Sequence, residues 1–289
     1  MAQIINTNIT SLNAQRNTAM SQSSLAISMQ RLSSGMRVNS AKDDAAGLSI
    51  AERMNAQVRG MNVAIRNSND GISLAQTAEG ALAKVGDAMQ RMRELAVQAR
   101  NATNTNADKD SLDKEFGELA KEIQRVIGGT TFNGIAILGS AAGTQTFQVG
   151  ANTTTNDRID VTTTDLTADP LITAVAGTDN TGAGRAVIDN TAVGAAIDTV
   201  IANIDIAIDA VNSQRATLGA SQNRFEAVIS NLQVSVENQA AARSRIMDAD
   251  FAIETANLSR AQILQQAGNT MVAQANQLPQ QVLTLLRGG

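Results

Sequence analysis

Few residues in this chain could carry chemistry. It contains no His and no Cys, which removes the commonest general base, thiolate nucleophiles, disulfides and the usual zinc ligands. Asp205 and Asp209 stand four apart, a spacing that puts two carboxylates on one helix face. On a solvated face such a pair is ordinary surface charge rather than an acid–base dyad. The segment "TGAGRA" carries Gly182 and Gly184, but it lacks the third glycine of a dinucleotide loop and follows no strand. Asn101-Ala102-Thr103 and Asn152-Thr153-Thr154 fit a glycosylation acceptor pattern, and the Thr hydroxyls within residues 165–190 are alternative carriers of O-linked sugar. Lys42, Asp43 and Asp44 suit the positive end of a helix dipole and equally a hinge between two helical layers. None of these groups assembles a catalytic site, so the expectation is no enzyme, no cofactor and no metal.

The elements that hold these residues say more. Aromatics are 2% of 289 residues, with five Phe and neither Trp nor Tyr. Large rings usually supply much of a compact core; here Ala, Ile, Leu, Val and ten Met must do so, a composition that favours helices. A net charge of -4 and a pI near 5.0 argue against nucleic acid as a partner. The opening "MAQIINTNITSLNAQR" has no basic or apolar leader pattern, so no Sec-type signal is expected. No apolar run approaches the ~18 residues of a membrane span.

Helical spacing dominates both ends of the sequence. Ile5, Ile9 and Leu12, then Leu25, Met29, Leu32 and Met36, mark a first helix that breaks at "SSGMRVNS". Ser40 and Asp43 form a capping box for the next. That helix runs from about residue 43 to 100, with one phase slip near Ala78, and would span roughly 85 Å. After the turn-rich "NATNTNAD", a shorter helix marked by Leu112, Phe116, Leu119, Ile123 and Val126 ends at Gly128-Gly129 and returns antiparallel. "TTFNGIAILG", "TQTFQVGA" and "DRIDVTTT" read as hairpin strands. Residues 165–190 are the least patterned and read as a loop or small insert. From Val193 to Leu232 the rhythm returns, breaks at "ARSRIMDADFA", and resumes in a last helix where Pro279 predicts a kink or restart. The expected fold is therefore mainly α with a small β-hairpin region. It is an elongated rod of long antiparallel coiled-coil helices from both termini, with a short β-rich or loop insert in the middle.

The last helix pairs with the first in this reading, each burying a heptad seam: Leu264, Gly268, Met271, Ala275, Leu278, Val282 and Leu285 on one. The remaining faces are nearly uncharged. Residues 11–30 hold one formal charge, Arg16, and residues 261–286 hold none. Soluble coiled coils keep charges at their flanks, and two-helix segments without a wider core are marginal in water. Such ends should gain order by packing against other copies, in rings or helical filaments.

The segments "MAQIINTNITSLNAQRN", "QRLSSGMRVNSAKDDAAGLSIAERM", "RNSNDGISLAQTAEGAL", "QRMRELAVQA", "TTFNGIAILG" and "RSRIMDADFAIETANLSRAQILQQAGNTMVAQANQLPQQVLTLLR" closely resemble bacterial flagellin over about residues 1–165 and 190–289. The resemblance implies three regions. Residues 1–40 and 245–289 would form an inner terminal coiled coil. Residues 41–165 and 190–244 would form a helical domain with a β-hairpin, and 166–189 a short variable outer insert. It implies a structural subunit of the hollow flagellar filament, exported without a cleavable signal peptide and extracellular, with Ile5, Ile9, Leu12, Leu25, Met29, Leu32, Leu264, Met271, Leu278, Val282 and Leu285 as its assembly seam. The implied partners are further copies of itself, an export chaperone on the C-terminal helix (about 250–289), and the filament cap and hook-junction proteins. A host Toll-like receptor is implied through Arg91, Leu95 and Glu115. The alternatives are a hook–filament junction protein, disfavoured by "SAKDDAAGL" and "QRMRELAVQ", and a discrete secreted coiled-coil binding protein.

Overall fold

The structure, a computed structural model, describes the backbone of residues 7–287 and the side chains of residues 7–278. Ile5 and the side chains of Val282 and Leu285 lie outside the described residues. The helices are α1 (Ile9–Ser34), α2 (Ala45–Ala99), α3 (Asn106–Gly129), α4 (Pro170–Ala176), α5 (Gly194–Met247) and α6 (Phe251–Arg287). Between α3 and α4 lie β1 (Thr131–Phe132), β2 (Ile135–Ala136), β3 (Thr144–Gln148) and β4 (Arg158–Thr162). Two compact units result: Met1–Ala56 with Asn238–Gly289, and Gln57–Glu237. The division falls inside α2 and α5.

In the first unit the helix ends follow local chemistry. The Asn8 side chain accepts from Ser11 N–H and starts α1. Gly35 ends it in the left-handed region at φ +70, its N–H donating to Arg31 O at 2.8 Å. Ser40 N–H and Oγ both donate to Asp43 at 2.9 and 3.0 Å, as their spacing predicts, but this box closes a turn just before the helix. The side chain that opens α2 is Asp44, which accepts from Gly47 N–H at 2.8 Å. Asp250 does the same for α6, accepting from Ala252 and Ile253 N–H. Val38, Ala51 and Met247 form a small buried cluster. Beside it, Arg37 N–H donates to Met247 O and Ala249 N–H to Gly35 O. The helix α6 is continuous through Pro279, so of the kink or restart expected there the restart does not occur.

The second unit holds the large core. Leu82, Met89, Met92, Leu95, Phe116, Ile123, Ile127 and Phe225 are fully buried in it. Within this unit α2 and α5 run antiparallel, and two forks fix their register. Arg93 donates to Asp205 and Arg100 to Asp198, both through Nε and Nη2. The two arginines and the two aspartates are each seven apart, so about two helical turns separate the rungs. Phe225 packs where Gly71 leaves room; a Cβ there would come 2.5 Å from its ring. Phe147 of β3 meets the same ring edge-on, centroids 5.6 Å apart. The helix α3 begins earlier than its apolar stripe suggests, because Thr105 and Asp108 form a full capping box inside the segment read as loop. β1 pairs with β2 and β3 with β4, both antiparallel.

The least patterned stretch is more ordered than its sequence suggests. Asp169 caps α4 and Pro170 opens it. Ile172, Val175, Ala176 and Ile188 then bury themselves in the core. Repetition is needed for a period to show, and a seven-residue helix repeats too little.

Candidate assembly surface

The helices α1 and α6 pack along each other antiparallel, as the terminal seams predict. The rows that meet coincide with the expected seam only in part. On α1 the buried or half-buried row is Ser11, Ala14, Thr18, Ser21, Leu25, Ser28 and Leu32, stepping by three and four. On α6 it is Glu254, Leu258, Ala261, Gln265, Gly268, Val272 and Ala275. This is a heptad seam, but a small and polar one. Ser11 Oγ donates to Asn276 Oδ1 and Asn8 Nδ2 to Ala275 O, both at 2.7 Å. A Cβ on Gly268 would lie 2.6 Å from Thr18 Oγ1. Small residues let the two backbones approach closely, and that contact wins over any arrangement that interdigitates the larger side chains.

The larger side chains consequently point out. Ile9 and Met271 are each 63% exposed. Leu12, Met29, Leu264 and Leu278 are also exposed, as are Met20, Ile27 and Ile263, which the spacing argument did not single out. Of the expected seam, Leu25, Leu32, Gly268 and Ala275 take part in the pair among the described residues. Leu264, Met271 and Leu278, each seven residues apart, form an outer stripe beside a helix pair almost free of charge. Monomeric proteins seldom leave such apolar side chains in one row, and an interface is the usual reason. The one close ion pair in the seam, Arg31 with Glu254 at 3.8 Å, sits at its far end.

The other singled-out residues sort themselves by burial. Arg91 is on the surface, donating from Nε to Glu115 at 2.9 Å and from Nη1 to Glu94 at 2.8 Å. Those two carboxylates raise its pKa, Glu94 most. Leu95 is 1% exposed and belongs to the core, so only Arg91 and Glu115 of that trio face solvent. Asp205 is engaged by Arg93, while Asp209 is exposed one turn on. Gly182 and Gly184 sit in a left-handed turn tied by Asp179 to Thr181, with no helix start to receive a phosphate. Ser40 hydrogen bonds hold the Asp43 carboxyl below its usual value. Among the described residues no helix is long and apolar enough to cross a membrane.

Residues 5–144 match the family description "Bacterial flagellin N-terminal helical region", and residues 201–286 match "Bacterial flagellin C-terminal helical region". The chain belongs to the bacterial flagellin family. It is 48% identical to the flagellin of Halalkalibacterium halodurans, over 98% of this chain and all of that one. It is 43% identical to the flagellin of Bacillus subtilis strain 168, over 98% of this chain and 99% of that one. A crystal structure of Bacillus cereus flagellin covers 62% of this chain and 94% of its own, at 31% identity and a TM-score of 0.47. The family is structural, and its members are subunits of the extracellular flagellar filament. The chain is a filament structural subunit.

Proposed function

We propose that the outward apolar row of the terminal pair is the surface on which copies of this flagellin-family chain polymerise. The observation that carries this reading is the inversion of the pair: small polar residues inside, Ile9, Leu12, Met29, Leu264, Met271 and Leu278 outside. Leu25 and Leu32 contribute their exposed edges, and Ile5, Val282 and Leu285 extend the same row by sequence. Burying a Leu or Met fully is worth about 1.5–3 kcal/mol, so a handful per copy, repeated along a lattice, offsets the entropy of association. Residues 1–40 and 245–289 then form the inner layer around a channel. Residues 41–165 and 190–244 surround it, and 166–189 face outward. The same exposed stripe on about 250–289 suits an export chaperone that covers it before assembly. Passage through a narrow export channel, without a cleavable leader, suits a chain lacking disulfides. Cap and hook-junction proteins would meet the same terminal helices. A Toll-like receptor would engage the exposed Arg91 and Glu115, with Leu95 supporting them from beneath.

The test is Met271→Asp in the full chain. With seeds and ammonium sulfate, the parent chain should sediment as tubes visible by negative stain. The variant should keep its helical circular dichroism and its melting profile within about 0.5 kcal/mol, as surface substitutions do, yet fail to sediment. Tubes of normal yield from Met271→Asp, and again from Leu264→Asp, would remove the proposed surface.

A further inference from the structure

The segment between α4 and α5 is held to α3 in an unusual way. One face of α3 carries Asp110, Asp113, Gly117 and Gln124, stepping by three, four and seven. Residues 190 back to 177 lie along that face in the opposite direction. Asp110 Oδ1 accepts from Asn190 N–H at 3.1 Å, and Asp113 Oδ1 from Ile188 N–H at 2.9 Å. The Gln124 side-chain amide donates to Gly177 O. Three side chains of one helix thus bond the main chain of the segment, and two segment side chains answer: Asn190, whose Nδ2 donates to Asp110 Oδ2 at 3.1 Å, and Arg185. Its Nη1 donates to Asp113 Oδ1 and to Ala186 O, at 2.9 and 2.8 Å, and its Nη2 reaches Asp113 Oδ2. The guanidinium lies flat over Gly117, where a Cβ would come 3.0 Å from Nε. Arg185 is the sole basic residue between Arg158 and Arg215.

The pair is mostly shielded, with side chains 18% and 12% exposed. The tip around it is not: residues 178–181 and 183–184 are exposed and bonded mainly to one another. A shielded ion pair that loses one partner leaves a poorly solvated charge, which is costly. An exposed tip adds little to hold the segment down.

We propose that residues 177–190 are a strap latched to α3, that Arg185 in the seat of Asp113 and Gly117 is the latch, and that the strap opens as one piece, drawing the buried Ile188 out with it, while the long helices stay packed. Opening bares a row of two carboxylates and an amide already spaced to bind an extended backbone. The face of α3 is therefore a docking row whose resident ligand is this chain's own strap. Because the row reads main chain, the tip tolerates substitution wherever the turn at Asp179 and the glycines are kept.

The experiment is amide exchange by NMR on the full chain. In Arg185→Ala, the Ile188 and Asn190 amides should exchange about 10- to 100-fold faster, as in local opening, with Leu82 and Phe225 unchanged. Thermolysin should cut within the strap. Arg185→Lys should restore part of the protection, and Gly117→Ala should mimic Arg185→Ala by lifting the guanidinium. Replacing Thr178, Asn180 and Ala183 together by Ser should change nothing. Parental protection of Ile188 and Asn190 in Arg185→Ala would overturn the latch. Equal acceleration of the core amides would overturn independent opening, and a strap opened by the triple Ser change would overturn backbone reading.

Discussion

The two units bury opposite kinds of surface. In the unit from Gln57 to Glu237 the large side chains face inward, and charge lies outside in register-setting forks such as Arg93–Asp205. In the terminal pair Ser, Thr, Ala and Gly face inward, and Ile, Leu and Met face out. The first arrangement is complete within one chain. The second leaves its large apolar side chains uncovered within the chain, and its small polar seam removes little apolar area from water. A polymer subunit needs both: a part that folds alone and a part whose packing is finished by its neighbours.

The contrast is broken most severely by emptying the self-sufficient core. Phe116→Ala removes a fully buried ring and should cost about 3–5 kcal/mol, read by urea unfolding of helical circular dichroism. Truncating the largest type of residue in the terminal seam, as in Leu258→Ala, should cost about 1 kcal/mol, because the side chain is half-buried. Equal losses would mean that the terminal pair has a core of its own.

Acid should separate the units next. In the larger unit the carboxyls of Asp108, Asp113, Asp157 and Asp179 are held below their ordinary value. For Asp108, Asp157 and Asp179 the leading cause is a hydrogen bond from a nearby Thr hydroxyl. At Asp113 burial pushes upward, and hydrogen bonds from Arg185 and Ile188 N–H outweigh it. In the terminal unit hydrogen bonds from Ser40 hold the Asp43 carboxyl down in the same way. A depressed folded pKa gives stability that is full above the unfolded value, about 3.9 for Asp, and lost as pH falls through the lower folded value. The larger unit should therefore lose its melting temperature steeply below about pH 4, with the strap amides exchanging first. A flat profile down to about pH 2.5 would show that these bonds do not persist in solution.

What the sequence disclosed follows from repetition. The long helices were legible because Met54 to Ala99 and Val193 to Leu232 repeat the same step many times. The β3–β4 hairpin was legible from alternation in "RIDVT", whereas "TTFNGIAILG", read as a strand, folds back on itself at Asn133-Gly134, where both residues take positive φ. The terminal seam was misphased in part, for a physical reason. The largest apolar residues were taken to face the partner helix, whereas the intrachain seam is Ser11, Thr18, Gly268 and Ala275, residues with little hydrophobic signal. On the assembly surface proposed above, the strongest apolar row would meet another copy, and a sequence does not say which copy a side chain meets. The α3 row was hidden differently. Asp113 and Gln124 sit beside the apolar stripe of Phe116 and Ile123, and only the isolation of Arg185 in a long stretch without basic residues marks their partner.

The smallest effect sharpens the comparison best, because one substitution should change sign between the units. Glycine inside a helix costs about 1 kcal/mol relative to Ala, through backbone entropy. At Gly80 and Gly219, both within helices of the larger unit, an added Cβ would meet nothing within 4 Å. Gly80→Ala and Gly219→Ala should therefore each stabilise that unit by up to about 1 kcal/mol, raising its urea midpoint at unchanged slope. Gly268 is also helical, but there the Cβ would strike Thr18 Oγ1 at 2.6 Å. In Gly268→Ala the close approach of α1 and α6 must give way, and the cost of prying the pair apart should exceed the propensity gain. If Gly268→Ala stabilised the terminal pair as Gly219→Ala does its own unit, the two helices would not be in the close contact that turns their large side chains outward. If Gly80→Ala or Gly219→Ala destabilised the soluble chain, the larger unit would be using space that its own packing leaves open.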